Sequence, residues 1–133
     1  MWHKELKHSE FLTTLYEEVP ELSQISIEYV EIKDEGRRIS LGFTMPRFAD
    51  YPPLKWKQSG YNAVFVEADF FDIKEMQISY RNEKLKGTIY MKGTEEQYHH
   101  VWISGSVNLN LVAEVGLIQK ISGYIDELVS PSN

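Results

Sequence analysis

The side chains that could do chemistry in this chain are four histidines, a group of carboxylates and a large set of aromatic rings. His3 and His8 lie in an N-terminal segment, and His99 and His100 are neighbours. Adjacent residues on a strand point to opposite faces, so His99 and His100 cannot chelate one ion together. A metal site needs ligands converging from fixed spacings, and these four residues do not supply them. Glu67 and Asp69 are better placed. Two residues apart on a strand, they share a face at roughly 6–7 Å, near the separation of paired glycosidase acids. Asp72 and Glu75 follow close behind. Paired acids are also common on wet sheet faces, and neither has a nucleophile or orienting partner readable beside it. There is no Ser-centred elbow and no glycine-rich phosphate loop. With no cysteine, the chain has neither disulfides nor thiolate ligands nor a thiol nucleophile.

The aromatic share is 13%. Rings of this kind dominate cores and protein interfaces alike, because they bury large areas at small entropic cost. Two groups are harder to bury than the rest. Tyr98, His100 and Trp102 share the solvent parity of a late strand, while Tyr51 and Trp56 sit in a proline-rich stretch. With Phe65, Glu67, Asp69 and Phe71 they are candidates for an acidic-aromatic patch that would suit a basic protein. Packing of the rings beneath the loop is the plainer alternative.

The elements that must position these residues follow from periodicity. Ser9 opens a helical pattern in which Phe11, Leu12, Leu15, Tyr16 and Val19 share a face, and Pro20 limits it to about Glu18 or Val19. Period two follows. Ile25, Ile27 and Tyr29 alternate with polar residues, and Val30 and Ile32 continue out of phase, as at a bulge or on a second buried face. Asp34-Glu35-Gly36 then turns the chain into the strand Ile39 to Met45, completing a hairpin. Pro46 to Gly60 contains three prolines and reads as a long packed loop. Strand resumes from Tyr61 to Phe71, with Val64, Val66, Ala68 and Phe70 on one face. A tight turn near Asp72 is predicted to lead to a further strand carrying Ile73, Met76, Ile78 and Tyr80. Thr88 to Met91 is a short strand. Val101 to Ala113 reads as one last strand, with Gly105 marking a bend or a close approach to another backbone. Beyond Gly116 strand is expected to about Ser122, then a short helix or tail. The predicted fold is α+β, an antiparallel sheet of about six to seven strands with an N-terminal helix packed on one face, in a single domain over residues 1–133.

Fourteen Lys and Arg against twenty Asp and Glu give a net charge of -6. Nucleic acid and anionic membrane both select clustered cations, so neither is an expected partner. The N-terminus lacks the apolar core of a signal peptide, and the longest uncharged stretch falls far short of the ~20 apolar residues of a membrane span. A soluble, cytoplasmic protein is expected.

The order of segments carries a resemblance. Trp2 with its short helix, Val19-Pro20-Glu21-Leu22, the hairpin, and a proline-rich loop ending in Leu54-Lys55-Trp56 form its first part. Gly60-Tyr61-Asn62-Ala63-Val64, Phe71-Asp72-Ile73-Lys74-Glu75-Met76-Gln77-Ile78 and Ile121-Ser122-Gly123-Tyr124-Ile125-Asp126-Glu127 form the second. This arrangement resembles the Immunity protein 50 family, small bacterial proteins encoded beside polymorphic toxins. The resemblance implies a non-catalytic, cytoplasmic toxin inhibitor with no cofactor, whose partner is a cognate toxin domain. Two alternatives remain: a binding or structural module of another kind (a ligand carrier or a homo-oligomer subunit), and a hydrolase using Glu67 and Asp69.

Overall fold

Alternation of β-branched and aromatic residues with polar ones builds six strands, each hydrogen-bonded antiparallel to its neighbours. The structure, a computed structural model, describes residues 1–128. A 3₁₀ turn at Trp2–Glu5 precedes helix α1 (Glu10–Leu15). Strand β1 (Ile25–Lys33) and β2 (Arg38–Thr44) form the expected hairpin. A short helix α2 (Leu54–Gln58) interrupts the proline-rich stretch. Then come β3 (Ala63–Tyr80), β4 (Lys86–Gly93), β5 (His99–Gly105) and β6 (Val107–Tyr124).

The sheet closes on itself in the order β1-β2-β3-β6-β5-β4. Closure explains why two short helices suffice: the inner face of the sheet packs against itself. Ile39, Leu41 and Phe43 of β2 meet Val64, Val66, Ala68 and Phe70 of β3, and Val101, Ile103, Leu109 and Leu111 complete the core. Leu12 and Leu15 of α1 and Trp2 join that core; the Trp2 indole packs edge-on against Phe43 and donates to the Pro20 carbonyl at 2.9 Å.

Closure is uneven. β3 and β6 are the two long strands, paired from Ala63↔Tyr124 to Tyr80↔Val107. β2 covers β3 only over residues 65–71, and β5 covers β6 only over 109–113. The ring is completed by two pairs between β1 and β4, Ile25↔Gly87 and Ser26↔Lys86.

Several expectations change. α1 stops at Leu15, because Tyr16 is already extended and its hydroxyl is drawn inward to the Arg47 carbonyl at 2.7 Å. Ser9 takes the N-cap position without a side-chain cap bond. No turn separates Phe71 from Ile73. Asp72 adopts a left-handed φ of 54°, a conformation Asp tolerates better than most residues, and the pairing with β6 slips between Ile73 and Glu75. The chain bulges and β3 continues. By contrast, Val101 to Ala113 is two strands: the chain reverses at Ser106, where a hairpin keeps Ile103 and Leu109 paired on the same inner face. Parity alone could not reveal the reversal, since both arms keep their apolar residues inward. The close approach expected at Gly105 is real, since a Cβ there would lie 2.1 Å from the Lys86 carbonyl oxygen. In β1 the phase break falls between Ile27 and Tyr29, which turns Tyr29 outward over Gly42 while Val30 faces in. β6 runs to Tyr124; residues 125–128 form no helix, and the rest of the expected tail lies outside the described residues.

Candidate functional site

The nine residues singled out from sequence fall in three places. Phe65, Glu67, Asp69 and Phe71 project outward from the first half of β3, as their parity requires. Beside them the structure adds Tyr29 from β1 and Arg38 from β2. Tyr29 lies flat over Gly42, where any Cβ would sit 2.5 Å from its ring, and it packs against Phe65 with centroids 5.9 Å apart. Its hydroxyl donates to Glu67 Oε1. Burial and then this hydrogen bond hold the Tyr29 phenol protonated well above its ordinary range.

Asp69 is different. It is fully buried, accepts a hydrogen bond from Arg38 Nη2 at 2.5 Å, and stands opposite Ser40, which is buried too. Arg38 also lies over the Phe71 ring at 5.4 Å. The two carboxylates that looked like an acid pair therefore have separate engagements: Glu67 with a phenol, Asp69 with a guanidinium. A substrate could reach Asp69 only after Arg38 moved.

Tyr98 precedes β5, and His100 and Trp102 lie on its first half, on the outer face of the other end of the sheet. Trp102 stacks on Tyr90 of β4 at 5.1 Å and meets His100 at 4.7 Å. His100 Nε2 and Asn110 Oδ1 are 2.6 Å apart. A cavity of about 520 Å³ opens alongside, lined by Gln77, Ser104, Asn108 and Asn110 together with His100 and Trp102. Its other polar side chains are amides and hydroxyls. Lys74 covers Tyr98 at 5.4 Å and pairs with Glu114 at 3.2 Å.

Tyr51 and Trp56 do not join either group. Trp56 is sealed by Phe11, Phe48 and Tyr61, and its indole occupies the space a Gly123 side chain would fill. That is the packed-loop alternative. Tyr51 remains 58% exposed, anchored through its backbone N–H to the Leu15 carbonyl.

The patch is thus divided. Register sets Trp102 beside Asn110 and Asn110 beside Gln77, six residues along β3 from Phe71 and past the bulge. Roughly 20 Å of strand separates them. Tyr29, Arg38 and Tyr90 were missed from sequence. Tyr29 was given the inward parity of Ile25 and Ile27, and the displaced bulge reverses it. Tyr90 becomes a site neighbour only through pairing with Trp102.

Among the described residues no three His, Asp or Glu side chains gather as metal ligands. His99 Nδ1 meets only Glu5 at 3.6 Å. No helix there is long and apolar enough to cross a membrane. A family model, that of Immunity protein 50, matches residues 8–124. No curated protein and no solved structure matches the chain.

Proposed function

Since the chain belongs to the Immunity protein 50 family, we propose that it is a non-catalytic, cytoplasmic immunity protein that binds and neutralises a cognate polymorphic toxin. The family match over residues 8–124 carries the reading. An inhibitor of this kind needs a rigid surface of complementary shape and charge, and a tight one covers about 800 Å² around a few aromatic or charged anchors. The outer face provides such anchors in two places: Phe65 and Glu67 beside Tyr29, and His100 and Trp102 beside Tyr90. Asp69, Phe71 and Tyr98 are assigned to the edges and supports of these anchors, and Tyr51 and Trp56 fall outside them. A net charge of -6 would steer the chain toward a basic toxin.

Co-expression with the toxin domain encoded by the adjacent gene tests the proposal. Growth should be restored and the two proteins should co-elute on gel filtration. Unabated killing with no complex would end it.

A further inference from the structure

The inner face of the sheet is sealed on most strands and open on two. Residues directly opposite each other on paired strands share a face, so their exposures should match where the wall is complete. On β1 and the second half of β3 they do not. Ile32 is 63% exposed while its partner Ile39 is 1%. Ile78 is 40% exposed against 4% for Leu109, and Tyr80 is 72% against 1% for Val107. Val30, Ile73 and Met76 are partly exposed opposite Leu41, Ala113 and Leu111, all of which are sealed.

The cause is topological. Beyond Phe71, β3 has β6 on one side and no strand on the other; beyond Ser26, β1 pairs with β2 but no longer with β4. Two strand edges therefore border a slot into the core. A cavity of about 460 Å³ joins them, with Val30 and Tyr29 on one lip and Ile78 and Tyr80 on the other. The slot also lies between the two outer anchors, since Tyr29 belongs to one lip and Gln77 of the amide-lined cavity to the other.

A free edge offers unpaired backbone donors and acceptors, and the inward residues beside it offer an apolar floor at every second position. An extended peptide segment satisfies both at once, by main-chain pairing and by alternate side chains. The rim selects its charge. Glu28, Asp34, Glu35, Asp72 and Glu75 have no basic side chain within ion-pair distance among the described residues, and Lys33, Lys74 and Arg81 are already bound to Glu31, Glu114 and Glu83. Arg37 and Lys84 are the nearby cations outside an ion pair, so the unpaired charge remains predominantly acidic.

We propose that a basic, extended segment of the toxin pairs with the free edge of β3 over residues 73–80 and covers Ile32, Ile78 and Tyr80. The identity of the partner rests on the toxin-binding reading above; the edge itself does not.

Hydrogen exchange of the full chain tests both, with two probes run in parallel. One is the toxin domain from the adjacent gene; the other is a synthetic peptide of alternating valine and threonine flanked by lysines. Amides of residues 28–33 and 73–80 should gain protection. Ile78→Arg should weaken toxin binding by more than about tenfold. Tyr80→Ser, at a position too exposed to matter for folding, should do the same. Gln58→Arg on α2, with the same change in charge as Ile78→Arg, should have no effect. A toxin complex whose protection lies elsewhere overturns this proposal and leaves the immunity reading standing. Absence of a toxin complex, with the peptide still protecting β3, removes the immunity reading and retains the strand-docking edge. Protection by neither probe overturns the edge. A dimer of this chain that Ile78→Arg dissociates also overturns it, because a second copy would then be the occupant.

Discussion

The long strands β3 and β6 each outrun a shorter neighbour, and the chain treats the two resulting edges differently. On β6 the edge beyond β5 is met by the N-terminal segment: Lys7 donates to the Gly116 carbonyl at 3.0 Å and accepts from Ile118 N–H at 2.9 Å. Trp2 and Leu6 are buried next to that bridge, and Leu6 fills the space beside Gly116 and Phe70. On β3 the edge beyond β2 has no such cover among the described residues, and the apolar side chains beside it are exposed. Edges left open are a liability that folds usually blunt. One edge here is bridged at Leu117 by the chain's own Lys7, and the other is only disfavoured by the Asp72 bulge and by charge. The difference sets a β6 edge met by the N-terminal segment against a β3 edge with apolar side chains exposed beside it.

The comparison breaks most visibly if the covered edge is uncovered. Deleting residues 1–7 removes Trp2 and Leu6 from the core and should cost on the order of 5 kcal/mol in urea titration, with self-association on the exposed β6 edge. Point variants on β3 sharpen the contrast. Phe70→Ala, in the sealed half, is expected to cost about 3–5 kcal/mol, whereas Tyr80→Ala should fall within about 0.5 kcal/mol of the parent. Equal losses at the two sites would mean that the slot is closed in solution. A third variant probes the outer face of the sealed half. Gly42→Ala drives a methyl into the Tyr29 ring and should cost about 1–3 kcal/mol, most of it recovered when Tyr29→Ala is added.

The smallest effect is on pH. Burial lowers the pKa of His3 below its ordinary 6.5, so below that pH the unfolded chain binds protons that the folded chain resists. The His3 contribution to stability should therefore be flat above 6.5 and decline as the pH falls through it. His3→Gln should remove that part of the slope; an unchanged urea midpoint between pH 7.5 and 5.5 in the parent chain would show that the N-terminal cover is loose.

Much of this architecture was legible from residue order. Alternation in Ile39 to Phe43, Val64 to Phe70 and Leu109 to Ala113 determined which side chains face inward, because a pleated strand has a period of two whatever surrounds it. The hairpin from β1 to β2 followed from its turn residues, and the phase break in β1 left a bulge or a second buried face, of which the register slip between Ile27 and Tyr29 is the first. Local pattern also set His99 and His100 on opposite faces, since neighbours on a strand diverge.

What local pattern could not decide was where a strand ends when parity persists on both sides of the break. Asp72 looked like a turn and is a bulge; Gly105-Ser106 looked like an interruption and is a reversal. Both are settled by partners far along the chain: Ala113 and Val112 for the segment around Asp72, and Lys84 and Lys86, whose backbone groups bond the Ser106 side chain. The candidate site divided for the same reason. Period two placed Glu67, Asp69, His100 and Trp102 outward, yet their distance from one another depends on register between strands. Closure of the sheet, with one edge covered and one open, is a property of the six strands together. Residue types alone determined what each strand buries, and only the tertiary structure decided which strand edge has no partner among the described residues.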